Sequence, residues 1–343
     1  MSQATSSAVV TGASGWLGQN LVRALVAEGR DRIRCLVNDA DEAPRLELAG
    51  VSVEAVIGDV RDPDALDRLF DGMTGATVFH AAAVIHPRKH PRELYDVNVG
   101  GTQLALDRAR RAGAGRFLHV SSNSPFGANP TNDHRFTENS PYDPYLAYGR
   151  SKLEAEMLVR RSHVRGDVEA VILRPPWFYG PFQPARQTQW LATVRRGRFP
   201  LVGDGTNRRS MVFTGNLVHG LLRAEVADAA LGNAYWIADA EPYVMREVFE
   251  TVRHAFELEC LPVSGRTQPR LPRLAGVVAE KADTVLQAVG VYVQPLHVLG
   301  ELKDTIACDI ESARRDLGYD PPTALLEGMR MSIRWCLERG RRL

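Results

Sequence analysis

The segment Thr11-Gly-Ala-Ser-Gly-Trp-Leu-Gly18 constrains this chain more than any other. It follows a short apolar run, Ala8 to Val10, and opens a stretch of helical periodicity (Leu17, Leu21, Val22, Leu25, Val26) that stops at Gly29. Strand, tight turn and helix is the setting in which a glycine-rich turn acquires a use. Gly12 is free to take the sharp turn, Gly15 lets the backbone approach a phosphate with no Cβ in the way, and Gly18 lets helix and strand pack closely. The helix N-terminus then presents free N–H groups and the positive end of its dipole to a dinucleotide pyrophosphate. A glycine turn without a ligand is the plainer alternative, and a second motif decides between them.

That motif is Tyr148-Gly-Arg-Ser-Lys152. Four residues apart on a helix expected from about 144 to 162, the phenol and the ammonium share one face. A nearby cation stabilises phenolate and draws the tyrosine pKa down from its ordinary value of about 10, which makes the phenol a usable acid or base. Spacing selects this tyrosine, because Tyr142 and Tyr145 have Leu146 and Gly149 four residues on. On its own the pair also reads as a solvated helical face. The run Val120-Ser-Ser-Asn-Ser-Pro-Phe-Gly127, at the end of the apolar strand Phe117 to Val120, raises its standing. A serine there can hydrogen-bond the same substrate oxygen that Tyr148 protonates.

With glycines at positions 12, 15 and 18, spaced by two and two residues, and with Tyr148 and Lys152, the chain resembles the extended branch of the short-chain dehydrogenase/reductase superfamily. The resemblance runs from Val9 to about Trp335. It includes GDVRD at Gly58 to Asp62, HAAA at His80 to Ala83, NVGGT at Asn98 to Thr102, LRPPWFYGP at Leu173 to Pro181, and the run Asp309 to Tyr319. It implies that Asp59 bonds the adenine, that Ala81, Ala82 and Ala83 line the nicotinamide ribose, and that Asn98 joins a proton relay. For Asn98, satisfying backbone groups at a helix start is the alternative. The catalytic serine implied is Ser122 rather than Ser121. The full cofactor set implied is Gly12, Ser14, Gly15, Trp16, Leu17, Gly18, Asn38, Asp59, Val60, Ala81 to Ala83, Tyr148, Lys152 and Pro175. Ser124, Trp177 and Arg209 are the substrate-binding candidates.

A chain of 343 residues with 44% apolar content is long enough for one large or two closely joined domains. Apolar strands near 8–11, 32–37, 53–58, 76–80, 116–121 and 168–173 alternate with helical patterns near 15–28, 91–112 and 144–162. This βαβ rhythm predicts an α/β protein, a Rossmann-type doubly wound parallel sheet spanning 1–180. After Tyr179-Gly-Pro181 the rhythm fails. A short strand near 210–213, helices near 215–226 and 244–256, and a helix at 310–317 predict a smaller, mainly substrate-binding lobe over 181–343, with the chain free to cross between lobes.

A net charge of +1 argues against a general nucleic-acid binder. Four scattered cysteines read as reduced packing residues of a cytoplasmic protein. No HExxH is present among the nine histidines, so no metal is expected. MSQATSSAVV lacks the regions of a signal peptide. No uncharged apolar run reaches the roughly 18 residues of a membrane span, since Glu280, Lys281 and Asp283 interrupt Ala275 to Val293. Family resemblance implies a homodimer paired through the helices at 91–112 and 144–162.

Cofactor choice, NAD or NADP, turns on the end of the second strand, Arg34-Cys-Leu-Val-Asn-Asp39. The usual acid position falls at Val37 and the usual NADP arginine at Asn38. The missing carboxylate leans toward NADP, and Asp39 or Asp41 reverses that if the register shifts. Substrate signals divide. Arg209 in GDGTNRRS stands where nucleotide-sugar enzymes bind a diphosphate, with Arg195, Arg196, Arg198 and Arg208 either adding a positive field or forming a solvated face. Trp177, Asn207, GNLVHG and the apolar helical insert Leu271 to Val293 favour the 3β-hydroxysteroid dehydrogenase-like branch, the insert walling an apolar pocket. Asn123 and Ser124 stand where 4,6-dehydratases carry Asp-Glu, which excludes that reaction. What remains is hydride transfer at a secondary alcohol or ketone, a nucleotide-sugar epimerase, or a non-catalytic NAD(P)-binding regulator.

Overall fold

A computed structural model describes residues 6–46, 53–88, 90–265 and 268–343. Seven parallel strands form the main sheet: β1 (Ser7–Thr11), β2 (Arg32–Val37), β3 (Val53–Ile57), β4 (Thr77–His80), β5 (Arg116–Val120), β6 (Glu169–Arg174) and β7 (Ala234–Trp236). Their order is β7-β6-β5-β4-β1-β2-β3, doubly wound about β1. Six strands lie where the apolar runs predict them. The seventh is three residues long, too short to show a period in the sequence.

Alternation along the strands decides both faces. Val10, Phe79, Leu118 and Val171 point into one layer with α1 (Trp16–Ala27), while Val9, Val78, Phe117 and Ile172 point into the other with α2 (Pro63–Phe70), α3 (Thr102–Ala112) and α4 (Leu146–Val164). Helix α2 is absent from the sequence expectation, although Asp62 caps it and Pro63 opens it. The helix expected over 91–112 is interrupted. A short turn at Arg92–Tyr95 widens into a π-helix at Asp96–Gly101 before α3 begins. Asn98 causes the widening in part, since its side chain reaches out to the Val84 backbone instead of solvent.

Beyond 180 the chain supplies α5 (Ala185–Arg195), α6 (Thr214–Val226), α7 (Met245–Leu258), α8 (Arg273–Ala288), α9 (Gln294–Glu301), α10 (Glu311–Leu317) and α11 (Leu325–Glu338). Leu191 and Val194 of α5, Val248 and Phe249 of α7, and Met329 and Ile333 of α11 form a separate core for the second lobe. The chain also crosses back. Helix α6 packs against α1 on the first sheet layer, through Leu217 and Leu221, and β7 extends the sheet beside β6.

Behind the end of β5, Arg174 and Glu156 form an ion pair at 2.7 Å with both side chains wholly out of solvent. Glu156 also accepts from Ser121 Oγ at 2.5 Å and from Tyr142 Oη at 3.1 Å. The Arg174 guanidinium lies over the Phe126 ring, 4.5 Å from its centroid. Burial opposes the Arg174 charge, and Glu156 outweighs it, so the arginine pKa stands above its ordinary value. Replacing Glu156 by Gln leaves that cation uncompensated, and the expected loss is about 3–5 kcal/mol of unfolding free energy. Urea denaturation showing a change below about 1 kcal/mol would mean that the pair is not a structural tie.

Candidate active site

Gly12 has φ +69°, and a Cβ there would lie 2.8 Å from the Ala81 carbonyl carbon and the Ala82 nitrogen. Only glycine lets the turn cross the end of β4 so closely. At Gly18 a Cβ would meet Gly12 O at 2.1 Å, so this residue seats α1 on the turn. Gly15 differs: its φ is −71° and an added Cβ would touch only Gly12 O, at 3.1 Å. Its outer side is open. No side chain caps α1, and its first turn holds no acid, so the N-terminus faces outward with its dipole unneutralised. These features fit a dinucleotide pyrophosphate.

The neighbouring predicted residues gather around that turn. Ala81 N donates to Thr11 O at 3.2 Å, Ala82 N donates to Thr11 Oγ1 at 3.2 Å, and Ala83 is exposed. His80 is sealed between Thr11 Oγ1 at 2.9 Å and Thr102 Oγ1 at 3.0 Å, and burial, with the Lys152 charge, brings its pKa down to about 3. It is a neutral strut. Val60 is buried beneath the π-turn, where a Cβ on Gly101 would meet it at 2.6 Å. Asp59 holds the Arg61 guanidinium at 2.8 and 2.7 Å and is pulled below the usual carboxylate range by it. Leu17 is core. Trp16 bridges the lobes, donating from Nε1 to Pro181 O at 2.9 Å and tilting its ring on Phe178.

One carboxylate near the turn is missing from the sequence reading. Glu42, in the short 3₁₀ turn after β2, accepts from Ser14 Oγ at 2.5 Å and from the Asn38 backbone and side chain at 3.2 and 3.4 Å. Asp39 serves instead to cap Glu42 N, at 3.1 Å. The acid-rich run after β2 was the available signal, but periodicity does not say which acid the 3₁₀ turn carries back to Ser14.

Tyr148 and Ser122 face one cavity of about 680 Å³, together with Ser124, Pro175, Trp177 and Arg209. Gly149 sets this approach, because a Cβ there would lie 2.4 Å from Ser124 O and hold α4 off the catalytic loop. Both Ser121 and Ser122 line the cavity, but their hydroxyls differ in partner. Ser122 Oγ points to Ser124 Oγ at 3.3 Å in the cavity, whereas Ser121 turns inward to Glu156. Lys152 sits behind Tyr148, donating to Val120 O at 2.8 Å, and burial brings it down to about 8 against the pull of Glu156. Asn98 accepts from Val84 N at 2.8 Å and donates to Val84 O at 2.9 Å and Ser151 Oγ at 3.0 Å. It thus clamps the segment after β4 to α4.

The expected depression of the tyrosine pKa by Lys152 is not what this geometry gives. Burial pushes Tyr148 up to about 12; Ser122 and Arg186 act downward, Glu301 upward, and the lysine field is spent on His80 and His119 instead. Two further corrections concern the pocket. Arg195, Arg196, Arg198 and Arg208 are not among its lining, and Arg195 is tied to Pro262 O and Leu343 O. The insert contributes only Leu271, while α9 forms the wall with Gln294, Pro295, His297, Val298 and Leu299. Arg209 donates to Glu301 O at 3.0 Å and keeps its Nε buried with no partner among the described residues. Arg186, unmarked in the sequence, is the second cation of the cavity and has no hydrogen bond or ion pair among the described residues. Burial lowers its pKa, with Tyr292 and Tyr148 opposing.

Comparison with known proteins agrees with this geometry. The sequence profile of the NAD dependent epimerase/dehydratase family matches residues 8–238. Over 97% of its length the chain is 43% identical to Uncharacterized protein y4nL of Sinorhizobium fredii, covering 95% of it. It is 31% identical to a 3 beta-hydroxysteroid dehydrogenase/Delta 5-->4-isomerase of Mycobacterium tuberculosis, over 91% of this chain and 85% of that one. The structure of DesIV, a dTDP-glucose 4,6-dehydratase of Streptomyces venezuelae with NAD and TYD bound, has the same fold, with a TM-score of 0.76, 24% identity and coverage of 97% and 98%. With the profile spanning the glycine turn, the helix that carries Tyr148 and Lys152, and nearly the whole seven-stranded sheet, the chain belongs to the NAD dependent epimerase/dehydratase family, enzymes of the extended short-chain dehydrogenase type.

Proposed function

We propose that this enzyme transfers hydride at the carbonyl carbon of an apolar ketone, or of the matching secondary alcohol, with Tyr148 moving the proton. The observation that carries this reading is the convergence of Tyr148 and Ser122 on a cavity whose wall includes the apolar cluster Ile85, Pro175, Pro176, Trp177, Phe178, Trp190 and Phe199. Trp177 and Trp190 meet edge to face with centroids 5.0 Å apart, a rigid apolar wall. A bound nicotinamide dinucleotide supplies the hydride. Ser122 hydroxyl orients the carbonyl oxygen, and Tyr148 phenol donates to it as charge develops. At neutral pH the phenol is protonated, since its pKa stands near 12, so the residue is set for the reductive direction. The opposite direction needs phenolate, which the Arg186 charge would stabilise.

A sugar-nucleotide epimerase is the second reading, favoured by the unpartnered Arg209 Nε and by Arg186. Apolar walls speak for the first. Tyr148→Phe is expected to keep dinucleotide affinity and lose about 10²-fold in turnover of alkyl and polycyclic ketones, followed by nicotinamide absorbance. Trp177→Ala should raise the KM for those ketones roughly tenfold through lost apolar burial, while Arg209→Ala does little. A large KM effect from Arg209→Ala on a nucleotide sugar, with none from Trp177→Ala, would replace the first reading by the second.

Glu42 also gives the cofactor preference a direction. A carboxylate held by Ser14 and Asn38 beside the glycine turn can accept ribose hydroxyls and repels a 2′-phosphate, so we read the site as NAD-selective, against the lean taken from Val37 and Asn38. Calorimetry is expected to show Glu42→Gln raising NADP affinity by roughly tenfold with NAD nearly unchanged. Tighter NADP than NAD binding by the unmodified protein would reverse the assignment. Gly15→Asp, where the added Cβ needs only a small give from Gly12 O at 3.1 Å, should fold and bind neither dinucleotide, because the new charge faces phosphate. Retained binding in that variant would place the pyrophosphate elsewhere.

A further inference from the structure

Helix α8 is turned the wrong way for a helix that ends in water. Leu274, Val278, Val285 and Val289 are 69%, 59%, 65% and 71% exposed. Steps of four, seven and four residues put them on a single stripe, which Val291 continues past the helix end. The buried positions of α8 are Gly276, Ala279 and Asp283, packed toward α9. Gly276 is required there, since a Cβ would lie 2.9 Å from the Lys303 side chain.

Charge is sorted along the same segment. Its exposed ionisable residues are Arg270, Arg273 and Lys281, all cations. Its acids are engaged: Glu280, half-buried, is paired with Lys303 at 2.8 Å, and Asp283 is wholly buried against His297 Nδ1 at 2.9 Å, while Arg273 lies 3.8 Å from Asp304. An apolar stripe edged by a cation, with both acids of the helix held in pairs, is a composition suited to a helix that lies in a membrane interface. There the apolar side chains enter the boundary between headgroups and acyl chains, and the cations meet anionic headgroups. Among the described residues no helix is long and apolar enough to cross a membrane, so the contact is peripheral.

We propose that the outer face of α8 docks on an anionic bilayer surface. Charge selects this occupant over a second copy of the chain, because two such stripes face to face would oppose Arg273 and Lys281 to their own counterparts. The location gives the docking a use. Leu271, just before α8, and α9, packed against its inner side, both line the cavity that holds Tyr148. An apolar ketone dissolved in the leaflet would then lie next to the cavity wall. This last step rests on the function proposed above; the docking itself does not.

Vesicle flotation of the full chain, without substrate or dinucleotide, tests the docking. Equimolar phosphatidylglycerol and phosphatidylcholine vesicles are expected to carry the protein at least roughly tenfold better than phosphatidylcholine alone. Raising salt from about 0.1 M to about 1 M should weaken that binding. The pair Val278→Asp and Val285→Asp should reduce it roughly tenfold or more, and Lys281→Glu should reduce it on the anionic vesicles alone. All three positions are exposed, and unchanged circular dichroism melting confirms that the variants fold. Absence of flotation overturns the proposal, as does equal flotation of the doubly substituted protein. A concentration-dependent dimer in light scattering, lost in that same variant and without vesicle binding, gives the face to a second copy and also overturns it. A protein that floats as expected but reduces no apolar ketone supports the docking while removing the functional reading.

Discussion

The buried pair of Arg174 and Glu156 is the constraint on which the site depends. A fully desolvated guanidinium is tolerated only because a carboxylate 2.7 Å away compensates it and an aromatic face covers it. That requirement draws β6, α4 and the loop after β5 to a common point. Once Glu156 holds Ser121 from behind, Ser122 must face the other way, into the cavity. The same helix then carries Tyr148 and Lys152 to the loop, with Gly149 permitting the contact. Ser122 and Tyr148, from distant segments, are thus brought to one cavity with the help of an ion pair that lies behind it.

Much of this was legible because it is local. A glycine turn between an apolar strand and a periodic helix, and a tyrosine four residues before a lysine, are short patterns whose geometry follows from backbone dihedrals and helix pitch. Both Ser121 and Ser122 line the cavity, and they differ in their hydrogen bonds, Ser121 Oγ to Glu156 and Ser122 Oγ to Ser124. What escaped is set by tertiary contact. Strand β7 is three residues long and exists because an edge was open beside β6. Glu42 reaches Ser14 through the phase of a 3₁₀ turn. Arg186 is an ordinary arginine in sequence, and its meaning comes from the absence of an acid beside it in an apolar pocket. The tyrosine pKa failed for a similar reason. Helical spacing correctly put Lys152 near Tyr148, but the ammonium turns to the Val120 carbonyl, and burial then governs the phenol.

Polar groups around the glycine turn and in the cavity are unevenly provided for. His80, Asn98 and Asp59 have partners for their side chains and act as struts or clamps. Arg209 keeps one buried donor unpartnered, and Arg186 is desolvated without an ion pair among the described residues. Desolvated cations of this kind are costly to maintain in an otherwise apolar chamber. Arg186 differs from Arg174 in having no carboxylate among the charges that act on it, which leaves a desolvated cation facing the chamber.

The return of the chain from the second lobe has a consequence for how the protein is made. Residues up to 180 contain every glycine of the nucleotide turn and the whole Ser122, Tyr148 and Lys152 set, yet they do not form a closed body. Leu118 and Val171 on the sheet share a core with Leu217 and Leu221 of α6, and β6 gains its outer neighbour only at Ala234–Trp236. During synthesis the first half must therefore wait, with one apolar face of its sheet incompletely covered, until more than fifty further residues have left the ribosome. Growth of this nascent chain is better described as suspended closure than as domain-by-domain folding, and the interval is when it would most need a chaperone's cover.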